Sequence, residues 1–196
     1  VFFIKNIPEE AGTYPDGDEK HASSNAAAIV KQMREYRSPF TLAKILKEPS
    51  TWTISISFFL SYVAAMIFIA SQIPVLLIFG HSYSKAALVF AVSGIVSVPG
   101  SVILGVIDQE LGTKFASKIY IVALIIGFIL VIFSGVSIVA AIIGATLIKS
   151  ARVMNLLPSY VGTKYGRWDY SAAYRVIGTI VQIGGGIGIS LSAAFS

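Results

Sequence analysis

Cysteine is absent from the 196-residue chain, so the sequence excludes both a disulfide framework and a thiolate metal site. Charge is also scarce: Asp, Glu, Lys and Arg make up 13% of the residues, whereas soluble domains carry about 25%. Hydrophobic residues account for 55% of the chain, and the mean hydropathy is +0.77. This composition excludes an ordinary soluble domain and indicates a polytopic helical membrane protein.

Five apolar runs are long enough to cross a bilayer, whose core of about 30 Å needs about 20 mainly apolar residues per helix. They cover residues 52–79, 85–107, 117–134, 136–160 and 170–195. The third run is nearly featureless after Tyr120, as in a helix that can face lipid on all sides. We therefore expect an all-α membrane helix bundle over residues 51–196, preceded by a polar segment, residues 1–50, with amphipathic helices.

The basic residues are unevenly placed along the chain. Seven of the 15 precede the first run, two follow the second and two follow the fourth, whereas the other connections carry one or none. Because Lys and Arg mark cytoplasmic loops, this alternation predicts that residues 1–50 are cytoplasmic. The net charge of +5 is thus explained by basic residues that mark the cytoplasmic connections, and no nucleic-acid partner is expected.

Two cations, Lys149 and Arg152, lie near the middle of the fourth run. A charge at that depth costs about 2.5–3.5 kcal/mol on insertion scales and normally faces a protein interior or an aqueous cavity. On one continuous helix the two would share a face with other residues of the run, namely Ile142, Ala145 and Leu156. Every acidic residue lies outside the apolar runs, so a loop, another part of the protein or a ligand must balance the two cations.

Polar residues in two other runs are candidates for a cavity wall. Tyr62 and Gln72 lie in the first run, where helix packing is the competing interpretation. In the fifth run one helical face carries a polar series, namely Arg175, Thr179, Gln182 and Gly186. Arg175 is close to the start of this run, so it either enters the cavity or extends to the membrane interface.

Several segments resemble one transporter family. Residues 8–17, residues 40–47 and Trp52 resemble the central cytoplasmic loop and seventh-helix entry of major facilitator superfamily transporters. The chain looks closest to the bacterial branch that includes oxalate/formate antiporters and monocarboxylate-transporter-like proteins. The resemblance implies the second half of a twelve-helix fold, with helices seven to eleven present. The partner would be the N-terminal half of the same chain, and the location a bacterial inner membrane.

A second resemblance concerns the connections between helices. Residues 105–114 are similar to the family's loop motif, carried here by Gly105, Asp108, Gly112 and Lys114. The resemblance implies a gating latch in which Asp108 meets a neighbouring helix N-terminus. Residues 164–170 resemble the matching loop between the tenth and eleventh helices, which adds Arg167 and Asp169. Gln109 stands where the family commonly has a basic residue, and a charged turn that only fixes topology is the competing interpretation.

These observations predict a secondary active transporter that moves a small solute by alternating access. The cations at membrane depth indicate an organic anion such as a carboxylate, bound by Lys149 and Arg152 with help from Tyr62, Gln182 or Arg175. Oxalate itself is not inferred, because oxalate-transporting relatives use basic residues on the eighth helix and residues 86–107 contain none. In one alternative, Lys149 pairs with an acid of the N-terminal half, and in another the protein is a channel or structural membrane subunit.

An enzyme is not expected. His21 and His81 lie in connections, and no cluster of His, Asp or Glu lies within an apolar run. The segment Asp16-Gly17-Asp18 lacks the closing Glu of a calcium loop. Neither a cofactor nor a metal is therefore predicted.

Overall fold

The computed structural model describes residues 35–36, 38–151 and 153–194, without the side chains of Val153, Met154, Arg167 and Trp168. Contacts divide the chain between Pro39 and Phe40, and the part from Phe40 onward forms one compact unit. Most of the predicted polar segment 1–50, including the turn-rich residues 8–17, lies outside the described residues.

Six α-helices and one 3-10 turn make up this unit, and no strand occurs among the described residues. They are α1 (Leu42–Lys47), α2 (Pro49–Ile78), α3 (Tyr83–Leu111), α4 (Thr113–Ile132), the 3-10 turn (Phe133–Gly135), α5 (Ile138–Ser150) and α6 (Val153–Ser192). Helix α6 bends at Gly166, whose φ of 72° and ψ of 177° are not helical. Among the described residues, five segments are long and apolar enough to cross a membrane: Pro49–Ile78, Tyr83–Leu111, Thr113–Gly135, Ile138–Gly166 and Asp169–Ser192. The predicted all-α membrane bundle with five spans is confirmed.

Most helices are longer than the apolar runs that predicted them. Helix α2 begins at Pro49, a residue that suits the first helical position because its missing N–H has no intrahelical acceptor there. Helix α4 begins directly after Gly112, so the third span is not short. Hydropathy misses such ends because charged and polar residues are tolerated where a helix leaves the hydrocarbon.

The five spans run alternately up and down, with the fourth ending and the fifth beginning beside Gly166, which gives the bundle two distinct ends. We call one the basic end: α2 begins there and α3 meets α4 there, and it carries Lys47, Lys114 and Lys164. At the opposite end, the ring Nε2 of His81 hydrogen-bonds the Ser134 carbonyl at 2.8 Å, which ties the α2–α3 connection to the 3-10 turn.

Helix α5 lies against both α3 and α4, and α2 lies against α6. Glycines allow the closest crossing: a Cβ added to Gly144 of α5 would lie 2.8 Å from the Gly127 carbonyl oxygen of α4. Helix α4 does not face lipid on all sides, because one stripe of it is buried, namely Ala116, Tyr120, Leu124, Gly127 and Val131. Small residues that let backbones approach are typical of helix contacts in membranes.

Large apolar side chains cover much of the outer surface. Ile78 is 77% exposed and Ile95 is 74% exposed, and many other Ile, Leu, Val and Phe side chains are similarly open. An apolar surface of this extent is unfavourable in water and favourable against lipid. The polar residues inside the bundle are therefore the ones that need a functional explanation.

Candidate functional site: a buried lysine at a helix break

The fourth span is interrupted near its middle. Helix α5 ends at Ser150, Ala151 has a ψ of 48°, and α6 begins at Val153. The expected continuous helix is therefore interrupted at Ala151, and Arg152, the second cation of the predicted stripe, lies outside the described residues. Such a break is tolerated at membrane depth only where it is buried in protein or lines a cavity, because it frees backbone groups from helical hydrogen bonds.

Helix α3 supplies partners for the backbone at this break. The Ser101 hydroxyl donates to the Ser150 carbonyl at 3.3 Å, and the Ser150 hydroxyl donates to the Ser97 carbonyl at 3.4 Å. Gly100 makes this approach possible, since an added Cβ would lie 3.0 Å from the Ser150 Cβ. The end of α5 is thus held tightly against the middle of α3.

Lys149 occupies the last turn of α5 and is only 3% exposed. Its ammonium donates to the Phe90 carbonyl at 3.0 Å and to the Ser93 hydroxyl at 2.8 Å. The same nitrogen lies 4.1 Å from the centroid of the Phe90 ring, a cation–π arrangement. Helix α3 therefore solvates this cation with a carbonyl, a hydroxyl and an aromatic face.

Gln72 of α2 extends the polar network to a third helix. It is fully buried, and its Nε2 donates a long hydrogen bond of 3.4 Å to the Ser93 hydroxyl. Ser93 in turn donates to the Phe90 carbonyl at 3.1 Å. The Gln72 Oε1 atom is buried without a hydrogen-bond partner in the described part of the chain, so it is an acceptor that a water or a ligand donor could satisfy.

The other predicted substrate residues lie on α2 and α6. The ring of Tyr62 is half-buried and packs on Gly185, where an added Cβ would lie 3.1 Å from the ring carbon Cδ1. The polar face of the last span is exposed along its whole length, namely Arg175, Thr179, Gln182 and Gly186. Arg175 Nε donates to the Ser171 carbonyl at 3.1 Å, one turn earlier in its own helix. Lys149 and this exposed face therefore belong to different helix pairs, α5–α3 and α6–α2.

The predicted gating residues cluster at the basic end of the bundle. Gly112 separates α3 from α4 with a φ of 80° and a ψ of 155°, and its N–H donates to the Asp108 carbonyl at 3.1 Å. The Oδ1 atom of Asp108 is buried without a hydrogen-bond partner among the described residues, and Lys114 is exposed.

Gly105 lies inside α3 in open space. Asp169 begins the last span and is 2% exposed, whereas the Arg167 side chain is not described.

An ion pair at the basic end was missed by sequence reasoning. Lys164 of α6 contacts the Glu48 carboxylate at 2.9 Å and also donates to the Ser50 hydroxyl. This hydrogen-bonded ammonium holds the pKa of Glu48 below its ordinary value of 4.5. One turn away, the hydroxyls of Thr51 and Tyr165 are hydrogen-bonded at 2.7 Å. The start of α2 is therefore fastened to α6 beside the bend at Gly166.

Sequence reasoning also missed Phe90 and Ser93 as partners of Lys149, and Ser97 as the partner of Ser150. A signal was present: serines recur every four residues in the second apolar run, at positions 93, 97 and 101. That spacing places them on one helical face. A single serine can bond its own helix, so only the repeated spacing indicated a polar contact surface.

The described residues contain five helices that could span a membrane, and a buried cation lies at a helix break against one of them, an arrangement typical of integral membrane proteins of the transport type. The chain belongs to the Major Facilitator Superfamily, whose family model matches residues 2–189. Members of this family are membrane transporters, so the resemblance to the superfamily is confirmed. No curated protein and no solved structure was found to match the chain. The oxalate/formate branch stays a prediction.

Proposed function

We propose that this protein is a secondary active transporter of a small organic anion, and that Lys149 supplies the positive charge that binds the anion's carboxylate. The proposed cycle is alternating access between this five-span half and an N-terminal half of the same chain. The proposed setting is a bacterial inner membrane with the basic end in the cytoplasm, in agreement with the positive-inside rule.

The depth of Lys149 is the observation that carries this proposal. The residue follows Ile138, the start of its span, by eleven positions, or about 16 Å at 1.5 Å per residue. That distance is roughly half of a bilayer core of about 30 Å. Substrate sites of secondary transporters lie at this level and are commonly formed by interrupted helices.

Phe90 supports a route from the proposed solute pathway to the lysine. Its ring covers the Lys149 ammonium, yet the residue itself is 42% exposed on α3. Rotation of one exposed aromatic side chain would therefore open a path to a cation that is otherwise enclosed. An arriving carboxylate would offer a charge-assisted hydrogen bond that is stronger than those to the Phe90 carbonyl and the Ser93 hydroxyl.

The exposed face of the last span supports a second part of the proposed solute pathway. Arg175, Thr179 and Gln182 are exposed along about 10 Å of this helix, counting seven residues at 1.5 Å each. A polar face is unfavourable against lipid, so we infer that it faces the aqueous pathway or the other half. Arg175, near the basic end, would attract anions entering from that side.

Uptake by the full-length protein in proteoliposomes tests the proposal. We expect saturable uptake of one or more labelled mono- or dicarboxylates. Lys149→Ala should raise KM at least about tenfold, the equivalent of about 1.4 kcal/mol of lost interaction. Lys149→Arg should retain part of the activity, and Phe90→Ala should change substrate selectivity while keeping uptake. Lys85→Ala, an exposed lysine at the opposite end, is the matched control.

Two outcomes would contradict this assignment. If Lys149→Ala keeps its carboxylate KM but melts at lower temperature, the lysine only ties α5 to α3 or pairs with an acid of the other half. If the wild-type protein gives electrical conductance without saturable uptake, it is a channel.

A further inference from the structure

A cavity of about 710 Å³ opens at the basic end, between the start of α2, the α3–α4 junction and α6. Its polar lining includes two lysines and several hydroxyls, namely Lys114, Lys164, Ser50, Thr53, Thr113 and Thr163. Lys164 is paired with Glu48, so Lys114, which is exposed on the first turn of α4, is the lining cation placed to meet a ligand from outside. The ammonium and hydroxyl groups of this cavity suit a ligand that carries a phosphate group and hydroxyls.

A second cavity, of about 200 Å³, continues from the first one into the bundle. The two share three lining residues, namely Thr53, Ile54 and Tyr160. The inner cavity is mainly apolar, with Phe58, Ile121, Leu124 and Leu156 in its wall. Together the two cavities form one groove, which we call the α2–α4 groove, with a basic polar mouth and an apolar interior.

The length of the groove restricts what can fill it. Ser50 at the mouth and Ser61 at the inner end are eleven residues apart on α2, which corresponds to about 16 Å. A single leaflet contributes about half of a hydrocarbon core of about 30 Å. The groove therefore spans one leaflet, with its polar mouth at the level of the headgroups.

We propose that the α2–α4 groove binds one anionic phospholipid from the leaflet at the basic end. The phosphate accepts hydrogen bonds from Lys114 and from hydroxyls of the mouth, while an acyl chain lies along Ile121 and Leu124. A soluble phosphate would fill the mouth alone and leave the apolar part open. This lipid site is separate from Lys149 and does not depend on the identity of the transported solute.

The test uses the full-length protein purified in nanodiscs of phosphatidylcholine, with or without phosphatidylglycerol. Native mass spectrometry counts the phosphatidylglycerol molecules retained. We expect one retained molecule in the wild type and about fivefold weaker retention in Lys114→Gln, the typical effect of one lysine at an anionic headgroup. Lys118→Gln, exposed on the same helix but outside the groove, should retain the lipid like the wild type.

A second variant probes the apolar part. Ser117→Leu, in the wall of the inner cavity, should weaken retention of the lipid without changing the charge. Three results would overturn the proposal. The first is equal loss in Lys114→Gln and Lys118→Gln, which indicates surface charge alone. The second is full competition by glycerol 3-phosphate, which indicates a soluble phosphate site. The third is no retained lipid in the folded wild type, as expected if another protein segment fills the groove.

Discussion

The ammonium of Lys149 on α5 donates a hydrogen bond to the hydroxyl of Ser93 on α3, 2.8 Å away and inside the bundle. Ser93 is fully buried and is also contacted by Gln72 of α2, so one hydroxyl joins three membrane helices. Hydrogen bonds between helices at such depth are few, and each constrains how the helices can move against one another. A solute that engages Lys149 would therefore act directly on the contact between α3 and α5.

Ser93→Ala should destabilise the protein by about 1.5–3 kcal/mol, because the buried ammonium would lose one of its hydrogen bonds. Thermal unfolding of the detergent-solubilised full-length protein measures this change. Ser97→Ala is the matched control on the same helix, since its hydroxyl donates only to the Gly94 carbonyl one turn earlier. Equal stability of Ser93→Ala and the wild type would show that the Lys149–Ser93 contact contributes little.

Gly144→Ala should destabilise the crossing of α4 and α5 by about 1–3 kcal/mol, the usual cost of overpacking. The new methyl would lie 2.8 Å from a backbone oxygen, that of Gly127, and backbone cannot move aside as a side-chain tip can. Gly94→Ala supplies the contrast, because among the described residues no atom beyond the adjacent part of its own helix lies within 4 Å of its added Cβ. That variant should match or exceed wild-type stability, since Ala favours helix over Gly. The same unfolding assay ranks the two, and the reverse order would contradict the packing described for this crossing.

Gly112→Ala should cost about 1–3 kcal/mol for a different reason, backbone strain. Its φ of 80° with a ψ of 155° belongs to a region that only glycine adopts readily, although there is open space around it. Gly112→Asn should therefore be no more stable than Gly112→Ala. At an ordinary left-handed position, by contrast, asparagine is tolerated. Gly105→Ala, in open space within α3, is expected to be tolerated. Full stability of Gly112→Ala would mean that the α3–α4 junction relaxes freely.

The Glu48–Lys164 ion pair predicts a pH dependence of stability. Because the pKa of Glu48 is lowered in the folded protein, the pair stabilises the fold above the ordinary value of 4.5. The contribution is lost as the pH falls through the lowered value. Unfolding temperatures of wild type and Glu48→Gln should therefore differ at neutral pH and converge in acid. Glu110→Gln, exposed at the end of α3, controls for a general effect of removing an acid. A difference that stays constant in acid would rule out the ion pair as its source.

The sequence was sufficient to predict the helix bundle, because the bilayer requires each spanning helix to have about 20 mainly apolar residues, whatever its tertiary contacts. It also identified Lys149 as unusual, since few residues are as costly at that depth. It could not predict the break at Ala151, because Ser150 and Ala151 are compatible with a helix and only packing on Gly100 and Ser101 compensates for the freed backbone. For the same reason, the partners of Lys149 required knowledge of which helix faces it.

The sequence also could not predict whether the exposed polar face of α6 lies near Lys149. Helical spacing places Arg175 and Gln182 on one face, and both side chains are exposed in the structure. Spacing within one helix carries no information on which helices are neighbours. Whether Tyr62 and Gln182 lie near Lys149 depends on which helices pair, and the observed pairing of α2 with α6 and of α3 with α5 is encoded in no local pattern.

The most direct test of the account is amine-selective acylation of Lys149 in the full-length protein, followed by peptide mass spectrometry with and without a transported carboxylate. We expect slow labelling of Lys149, because the side chain is 3% exposed, and further protection by the carboxylate but not by an uncharged analogue of the same size. Labelling of exposed Lys118 should be indifferent to both compounds. If Lys149 labels at the same rate under saturating carboxylate while uptake is intact, the anion does not bind this lysine and the central claim is wrong.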